Sequence, residues 1–455
     1  MCAILVGTHS FFSMLISPYA ILFEKEKKYY AFCTLTKALL ELDDKTYADL
    51  LKIGGNEIVE GFHIEESDLK VLYDSHIICN DLQEEYDLCK SMILNDRNDE
   101  TDMHITIAPT MDCCFSCFYC FERQKEPSYM TRGIADSIIK FIKTQKKLKT
   151  LHVTWFGGEP LMAVHIIEYF TKNLLDVFSG VYTSEIITTA LFIDEGIIDI
   201  LKNAKITEMQ ISIDGQEKTH NSIKHTPKCQ NAFLRTMGNI ELLNKLYPDL
   251  AIGIRVNMTK KNQHEFKDLY FDILKRFNGT NVSIFPGFIV NRNNITLTNL
   301  FTHNEISEFS LKIWEINKIP TPWIIYSKDQ GECAIRKKNS WVFDASANVY
   351  KCWEKVGDKK FKIGKLEQNG QIVCVNHGQL DRYLYGADPL YDEKCMCCNV
   401  LPICFGGCPI QRIENFFDKK DNIVCSSYKG NIVRWLSAYL DFMMFFKNND
   451  LSKHR

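Results

Sequence analysis

The sequence predicts an α/β protein built around an open (βα)6 barrel, that is, a partial barrel of the TIM type. Six strand-like runs recur between residues 104 and 285, and a stretch with helical periodicity follows each of them. Strands that alternate with helices in this way form parallel sheets. From about residue 331 the alternation stops and the cysteine density rises, which indicates a different C-terminal region.

The predicted barrel consists of six strands and the six helices that follow them. In parallel sheets of this kind, functional residues collect at the carboxyl ends of the strands. The strands are His104–Ala108, Leu151–Phe156, Glu185–Thr189, Met209–Ile213, Ile252–Val256 and Val282–Phe285. The helices are Ile134–Ile142, Val164–Phe178, Glu195–Asn203, Gln230–Leu246, Gln263–Phe277 and Asn304–Ile316.

Three domains are predicted, at residues 1–100, 101–320 and 321–455. The last is rich in cysteine and ends in a helix over about residues 430–446. The first is a small α+β unit with short strands, two helices and a polar linker at Asn95–Asp102. The first helix is capped by Asp43 or Asp44 and carries Tyr47, Leu50 and Leu51 on one face, and the second is Glu66–Tyr73. Its main strands are Ala20–Phe23, Tyr29–Cys33 and Leu39–Leu42, with a brief one at Ile77–Ile78.

Composition and charge narrow the function classes. The 455 residues carry a formal net charge of −3, so no basic field argues for a nucleic-acid partner. The apolar stretch over residues 1–22 has no basic start and is interrupted by His9 and Pro18, so it predicts neither a signal peptide nor a membrane span. We therefore expect a cytoplasmic protein without a membrane partner. Its 18 cysteines predict metal centres rather than disulfides.

The first cysteine group follows the first barrel strand. Cys113, Cys117 and Cys120 form the pattern C-x3-C-x2-C, with Tyr119 inside it. Three thiolates on one loop can hold three irons of a cubane cluster and leave the fourth iron open to another ligand. The alternative is a zinc loop, but zinc usually takes four ligands, and no second cysteine pair lies nearby in the sequence.

Three further motifs stand at the ends of later strands. Glycines such as Gly157 and Gly158 let a backbone approach a ligand closely, and Glu159 can accept a hydrogen bond from an ammonium group. Arg255 and Asn257 stand two positions apart in one strand, so their side chains lie on the same face. They are either ligand contacts or a buried structural pair. The motifs are Gly157-Gly158-Glu159-Pro160, Ser212-Ile213-Asp214-Gly215 and the pair Arg255 and Asn257.

The second cysteine group lies in the C-terminal region. Cys395 and Cys398 alone would fit a zinc ribbon. The full pattern is C-x2-C-x5-C-x3-C-x16-C, with two more cysteines upstream. Its members are Cys395, Cys398, Cys404, Cys408 and Cys425, and the upstream pair is Cys333 and Cys352.

The first cysteine loop and the strand-end motifs resemble the radical S-adenosylmethionine (SAM) superfamily. The resemblance implies a [4Fe–4S] cluster on Cys113, Cys117 and Cys120, with SAM bound to the open iron through its amino and carboxylate groups. Reduction then cleaves SAM to a 5′-deoxyadenosyl radical that abstracts a hydrogen from the substrate. The Gly157–Pro160 motif would hold the methionyl amine, and Ser212 and Asp214 would lie by the ribose and carboxylate.

The second group resembles the SPASM extension, which carries auxiliary clusters in many radical SAM peptide maturases. The resemblance implies two further [4Fe–4S] clusters. Cys374 or Cys397 is a candidate for the missing fourth ligand of the inner one, or one iron is open to substrate. The outer cluster would be held by Cys395, Cys398, Cys404 and Cys425, and the inner one by Cys333, Cys352 and Cys408.

Two features bear on the substrate. Anaerobic sulfatase-maturing enzymes carry an aspartate base directly after the cysteine that matches Cys352, whereas this chain has Trp353 followed by Glu354, which is the alternative candidate for that base. The N-terminal unit resembles the winged-helix-like domain that binds leader peptides by strand addition. We therefore predict a maturase of a ribosomally made precursor peptide, forming a thioether, a crosslink or an oxidised side chain.

A flavodoxin- or ferredoxin-type protein would supply the electron to such an enzyme, and no general base is assigned. The alternatives are a formylglycine-generating sulfatase maturase and, from another class, a non-enzymatic metal-binding or electron-transfer protein.

Overall fold

A computed structural model describes residues 14–54, 64–122, 126–291, 297–321 and 331–448, with side chains up to residue 445. The chain forms two compact units. The first, here called the cysteine-rich unit, comprises residues 1–98, 323–336 and 385–450. The second, called the barrel unit, comprises residues 99–322, 337–384 and 451–455. The three consecutive domains remain a prediction, and the first half of the apolar stretch at residues 1–22 lies outside the described residues.

The cysteine-rich unit begins with a small antiparallel sheet in the order β2-β3-β4, and β1 pairs separately with β5. Its strands are β1 (Leu15–Ile16), β2 (Ala20–Lys25), β3 (Lys28–Cys33), β4 (Leu39–Leu42) and β5 (Ile78–Cys79). Its helices are α1 (Asp44–Gly54), α2 (Glu66–Asp74), α3 (Leu82–Asn98), α12 (Glu393–Met396), α13 (Leu401–Cys404), α14 (Pro409–Asp418) and α15 (Ile432–Asn448).

One apolar core joins the N-terminal and C-terminal parts of this unit. Tyr19, Leu50, Ile77 and Cys89 are fully buried in it, and Leu401 from α13 packs into the same cluster. The unit therefore folds around residues more than 300 positions apart in the sequence. Its cysteine-bearing loops are anchored on the N-terminal sheet and helices.

The barrel unit contains a ten-stranded sheet in the order β11-β10-β9-β8-β7-β6-β12-β13-β14-β15. The first six strands are parallel and pair in chain order, as predicted for a (βα)6 partial barrel. They are β6 (Asp102–Thr110), β7 (Thr150–Gly157), β8 (Val181–Thr188), β9 (Ile206–Ile213), β10 (Ala251–Met258) and β11 (Val282–Phe288).

Four short strands extend this sheet beyond β6. The strand β12 pairs in parallel with β6, and the other three follow as an antiparallel meander. They are β12 (Ser340–Phe343), β13 (Asn348–Tyr350), β14 (Gly364–Leu366) and β15 (Ile372–Cys374). The helices of the unit are α4 (Arg132–Thr144), α5 (Val164–Leu175), α6 (Glu195–Asn203), α7 (Glu217–Ile223), α8 (Ala232–Leu246), α9 (Phe266–Arg276), α10 (His303–Asn317) and α11 (His377–Tyr385).

The two faces of the parallel strands differ in polarity. In β7, Leu151, Val153 and Trp155 are buried, whereas the alternate residues His152 and Thr154 are half-buried. Side chains that alternate in this way point to opposite faces of a sheet. The polar face therefore stays available for ligands, while the apolar face packs as core.

The predicted elements agree with the structure along the barrel, in the N-terminal strands β2, β3 and β4 and in the helices α1, α2 and α15. The predicted linker Asn95–Asp102 is shorter in the structure, because α3 continues to Asn98 and β6 begins at Asp102, but the boundary between the two units does fall inside it, after Asn98. The elements that were not predicted are the helices α3, α7 and α11 to α14 and the strands β1 and β12 to β15. Across the described residues, every helix is too short or too polar to cross a lipid bilayer.

Candidate cofactor sites

The first cysteine loop leaves the carboxyl end of β6. Cys117 is buried, Cys120 is half-buried and Cys113 is exposed, and the Cys120 amide donates to the Cys117 carbonyl at 3.1 Å. The three thiols are near enough to influence each other's ionisation. Burial raises the pKa of Cys117 and raises that of Cys120 to about 12. Without metal these side chains are therefore neutral thiols, and a bound cluster has to displace their protons.

Two glycines let the end of β7 pack tightly against this loop. Gly157 has φ 115°, and a Cβ on it would lie 2.4 Å from the Thr110 carbonyl oxygen. A Cβ on Gly158 would lie 2.0 Å from the carbonyl oxygen of Asp112, the residue before the first cysteine. In this structure the glycines thus serve loop-to-loop packing, which fixes where the cysteine loop begins.

Glu159 is fully buried and has four protein donors. One carboxylate oxygen accepts from the Leu161 amide and from Thr188 Oγ1, at 3.1 and 2.6 Å. The other accepts from the amide and Oγ1 of Thr189, at 2.9 and 2.6 Å. A carboxylate has about four lone-pair sites, so these donors occupy them. Direct contact from Glu159 to an ammonium group stays a prediction that this packing does not favour.

A buried polar network lies beside the cysteine loop at the ends of β9 and β10. Asp214 accepts from the Tyr119 hydroxyl at 2.5 Å, from Lys224 Nζ at 2.7 Å and from Asn257 Nδ2 at 3.2 Å. Lys224 Nζ and Asn257 Nδ2 also donate to the Tyr119 hydroxyl, at 3.2 and 3.0 Å. Three residues singled out from the sequence thus meet here, and Lys224 joins them.

The charges of this network are fixed by its contacts. Burial alone would raise the pKa of Asp214, but Lys224 holds it below its usual value. Burial opposes charge on Lys224 as well, yet Asp214 and the Cys117 thiol raise its pKa. The pKa of Asp214 is lowered and that of Lys224 is raised, and both shifts favour the charged forms, so the pair is ionised. Sequence reasoning missed Lys224, because it lies after α7 and outside every motif.

His220 lies directly under the network. Its Nδ1 accepts from the Asp214 amide at 3.3 Å, and burial lowers its pKa to about 3. The neutral ring thus supports the turn after β9.

The other predicted contacts of SAM lie on the polar face of the sheet. Ser212 on β9 stands opposite Arg255 on β10, and both are half-buried. Arg255 also packs over Gly287, where a Cβ would lie 2.2 Å from its Nε. These two residues are near neighbours along the strands, whereas Asn257 is the one in direct contact with Asp214.

A row of aromatic rings runs from the cysteine loop to the residue after Cys352. Phe121 stacks on Phe156 with ring centroids 6.0 Å apart, and Phe156 stacks on Trp353 at 5.6 Å. Trp353 is 43% exposed, so its ring offers surface to a ligand. Trp353, which stands where the sulfatase-maturing pattern has an aspartate, therefore lies on the same side of the barrel as the first cysteine loop.

Four cysteines of the second group line one cavity of about 150 Å3 in the cysteine-rich unit. Arg412 Nη1 donates to the Cys395 sulfur at 3.4 Å, and Lys429 Nζ donates to the Cys425 sulfur at 3.6 Å. Burial raises the pKa of Cys395 to about 11. Cationic donors next to thiolates offset the negative charge of a thiolate-bound cluster. The lining cysteines are Cys395, Cys398, Cys404 and Cys425.

The remaining predicted ligands are divided between the units. Cys333 and Cys408 belong to the cysteine-rich unit and Cys352 to the barrel unit, so the inner-cluster assignment stays a prediction. Cys374 donates its thiol to the Ile363 carbonyl at 3.3 Å, and Cys397 is exposed and does not line the four-cysteine cavity.

The donor sets fit iron–sulfur clusters. Three cysteines on one loop suit a cluster with one open iron, and four around one cavity suit a fully ligated one. The ionised Lys224 beside Cys117 provides a cation for a carboxylate bound next to the first loop.

The six parallel barrel strands and the cysteine loop that follows the first of them are typical of a known class of proteins. Residues 107–273 match the family model of the Radical SAM superfamily. The resemblance to radical SAM enzymes with a SPASM-type cysteine region, inferred above from motifs, is confirmed. The class uses a [4Fe–4S] cluster and SAM, which confirms these two predicted cofactors, and the cysteine-rich C-terminal region fits auxiliary clusters.

Individual relatives agree with this class. The chain is 23% identical over 356 residues to the cysteine-type anaerobic sulfatase-maturating enzyme of Clostridium novyi (strain NT), covering 70% of this chain and 90% of that protein. It is similar in fold to native anSMEcpe with bound AdoMet and Kp18Cys peptide, with a TM-score of 0.58, 15% identity and coverage of 76% and 99%. Streptococcus suis SuiB bound to the precursor peptide SuiA gives a TM-score of 0.49, 15% identity and coverage of 91% and 98%.

Proposed function

We propose that this protein is a peptide maturase that cleaves SAM reductively and abstracts a hydrogen from a ribosomally made precursor peptide. One observation carries the proposal. The C-x3-C-x2-C loop lies against the buried Tyr119–Asp214–Lys224–Asn257 network at the carboxyl edge of the parallel sheet. Such an edge is where enzymes of this architecture bind their reactants.

The residues around the loop suit a bound nucleotide with amino, carboxylate and ribose groups. Lys224 is a buried cation that can pair with a carboxylate, and Asn257 and Ser212 offer polar atoms for hydroxyl groups. When bound, the cluster and SAM supply the electron and the organic radical that abstracts hydrogen. The chain itself holds the ligands, orders the polar groups and excludes water from the loop.

Two features support a peptide as the substrate. The relatives named above include structures with a bound peptide. The small sheet of the cysteine-rich unit also has β4 at one edge, with Leu39 and Leu40 half-buried. An edge strand offers unpaired backbone groups to which an extended leader can add as a further strand. We assign the leader-binding role to this edge.

Trp353 argues against formylglycine formation. Its ring stacks on Phe156 where the sulfatase-maturing pattern has an aspartate base. A tryptophan cannot accept a proton in that role, and its exposed face suits an apolar or aromatic side chain of the substrate. The bond formed on the peptide, and the flavodoxin- or ferredoxin-type donor that would deliver the electron, belong to the same proposal.

The first experiment measures 5′-deoxyadenosine formed from SAM under reducing, anaerobic conditions. Cys117→Ala should abolish the product, because only two thiolates would remain for the cluster. Cys229→Ala is a matched control, since Cys229 packs against the same apolar cluster as Cys117 and is not a proposed ligand. Cys229→Ala should retain SAM cleavage. Equal product from both variants would contradict the proposal.

The second experiment identifies the substrate. The enzyme is incubated with SAM and the short peptide encoded next to it, and in parallel with a cysteine-bearing sulfatase peptide. Mass spectrometry should show a loss of hydrogen from the encoded peptide and no formylglycine in the sulfatase peptide. Formylglycine would instead support the sulfatase-maturing alternative.

Iron analysis should give about twelve irons per chain for three cubanes, whereas zinc in their place would remove the enzyme interpretation.

A further inference from the structure

Three metal-ligand side chains meet at the amino end of the barrel sheet, at the strand ends opposite to those that carry the cysteine loop. Asp102 is the first residue of β6, and His104 follows two positions later on the same face. His152 on β7 is the direct cross-strand partner of His104. The mechanism proposed above uses none of them.

Their ligand atoms are arranged around one point. His104 Nε2 lies 2.9 Å from Asp102 Oδ2, and His152 Nε2 lies 3.1 Å from Asp102 Oδ1. The two imidazole rings are stacked, with centroids 4.4 Å apart and planes inclined by 20°. All three ligand atoms lie within 4.8 Å of one another. Burial opposes ionisation of Asp102, but the two histidines hold its pKa well below the usual range.

The two spacings of about 3 Å involve different oxygens of Asp102, so they match the first coordination shell of a transition metal to which the carboxylate binds through both oxygens. Bonds from zinc to imidazole nitrogen and carboxylate oxygen measure about 2.0–2.2 Å, so neighbouring ligand atoms lie about 3 Å apart in such a shell. Two histidines and one carboxylate also leave coordination positions open. The three side chains are between 29% and 43% exposed, so an ion can reach them.

The surroundings add the features of a built site. His152 Nδ1 lies 2.5 Å from Thr183 Oγ1, a contact that fixes the orientation of the ring and can hold the tautomer with Nε2 free to bind. A cavity of about 200 Å3 borders both histidines and is also lined by Thr154, Glu185 and Glu208. It provides room for water ligands and adds two carboxylates that favour a cation.

We propose that Asp102, His104 and His152 bind one divalent transition metal ion of the zinc type. Nitrogen and oxygen ligands of this kind suit zinc and the neighbouring divalent metals. The ion would tie the amino ends of β6 and β7 together on the polar face of the sheet. The site is separate from the cysteine loop, and the proposal holds whether or not the protein acts on a peptide.

The test uses the full chain with its iron–sulfur clusters reconstituted, dialysed against zinc alone. The numbers of zinc and iron atoms per chain are measured by elemental mass spectrometry. Wild type should hold one more zinc than His104→Ala and His152→Ala, at equal iron content. His165→Ala, which removes an exposed histidine on α5, is the control and should bind as wild type.

Two further measurements keep the test decisive if a ligand variant folds poorly. Thr183→Val retains all three ligands and should weaken zinc binding about tenfold, as loss of a hydrogen bond to a ligating histidine does. Zinc X-ray absorption of wild type should show nitrogen and oxygen neighbours only. Equal zinc in wild type and both histidine variants, or sulfur neighbours in the zinc absorption spectrum, would show that the cluster is only a hydrogen-bonded His–Asp–His group and overturn the proposal.

Discussion

At the scale of single residues, the ion pair between Lys224 and Asp214 is the most consequential contact near the cysteine loop. Both side chains are at least 97% buried, and each has further hydrogen-bond partners. A buried pair contributes little net stability compared with apolar residues, but removal of one partner leaves a charge without water or counter-ion. The pair therefore makes the local arrangement sensitive to single substitutions and fixes the position of Tyr119.

Lys224→Met is expected to lower the free energy of unfolding by about 3–5 kcal/mol, because it leaves the Asp214 carboxylate buried without its cation. Urea unfolding followed by circular dichroism, under anaerobic conditions, measures the change. The double variant Lys224→Met with Asp214→Asn should recover part of the loss, because the unpaired charge is removed. Arg276→Gln breaks the surface pair with Glu241 and should change the midpoint little. A midpoint of Lys224→Met equal to that of Arg276→Gln would contradict this account.

A second residue-scale expectation concerns Arg412 in the four-cysteine cavity. Its guanidinium donates to the Cys395 sulfur and pairs with Asp392 at 2.6 Å. Positive charge near a cluster favours the reduced form, which carries one more electron. Arg412→Met should therefore make the reduction potential of the cluster at this cavity more negative, as measured by a redox titration with electron paramagnetic resonance.

Arg412→Lys is the matched control, because it keeps the charge and loses the planar donor. Its potential should lie between those of wild type and Arg412→Met. An unchanged potential in both variants would show that Arg412 does not tune the cluster beside Cys395.

At the scale of elements, the cysteine loop is positioned by its packing against the turn after β7. Gly158→Ala would place a Cβ 2.0 Å from the Asp112 carbonyl oxygen, and backbone atoms on both sides must then shift. We expect loss of the irons of the first cluster, about four per chain, and loss of SAM cleavage. Iron analysis and the 5′-deoxyadenosine assay measure both effects.

Gly238→Ala is the control for this substitution. A Cβ on Gly238 meets nothing within 4 Å, and the residue lies inside α8. Alanine has a higher helix propensity than glycine, so this variant should be as stable as wild type or more so by about 0.5–1 kcal/mol. Normal iron content in Gly158→Ala would show that the turn does not position the loop.

Elements with a clear periodicity were predictable, and those held by distant contacts were not. The six parallel strands alternate buried and half-buried residues, and their helices carry recognisable caps such as Thr131 and Asp194. The helix α3 was missed because its sequence is largely polar and its first half carries several acidic residues. The strand β12 was missed because its pairing with β6 joins segments more than 230 residues apart.

The residues of the candidate site also divide into those that a local sequence pattern predicts and those that depend on distant contacts. Cysteine spacing and glycine motifs are local signals, and they were found in the sequence. Lys224 and the ring of Trp353 act through partners on other elements, Asp214 and Phe156. The role first assigned to Glu159 also depended on its surroundings, because the donors from Thr188 and Thr189 come from another strand end. No local pattern encodes such contacts.

At the scale of the whole molecule, the cysteine-rich unit is assembled from three separated parts of the chain. Arg97 at the end of α3 joins them, because it forms buried pairs with Glu332 and with Asp388. The pairing with Asp388 is bidentate, at 2.6 and 2.9 Å. A guanidinium can serve two carboxylates at once through its planar set of donors, whereas a lysine cannot. The network thus acts as a junction between segments that the sequence keeps far apart.

Arg97→Leu is expected to destabilise this unit by about 3–5 kcal/mol, because two buried carboxylates would lose the guanidinium that donates to both of them. The nearby Arg336 also acts on both carboxylates electrostatically, but Arg97 is the residue that hydrogen-bonds to them. Burial raises the pKa of Glu332, whereas Arg97 holds that of Asp388 below its usual value, so at neutral pH Asp388 retains its charge. Hydrogen exchange measured by mass spectrometry should therefore increase in α3 and around residues 385–392. It should stay unchanged in β7, β8 and β9, which have no part in the junction.

The triple variant Arg97→Leu, Glu332→Gln and Asp388→Asn separates charge from packing. If the cost of Arg97→Leu comes from unpaired charge, neutral amides should restore most of the protection in α3, since they can hydrogen-bond to each other. If protection stays low, the guanidinium is needed as a physical link that holds α3 and the two returning segments in register. Unchanged exchange in Arg97→Leu itself would show that the apolar core around Tyr19 and Leu401 suffices to assemble the unit, and that Arg97 adds nothing to it.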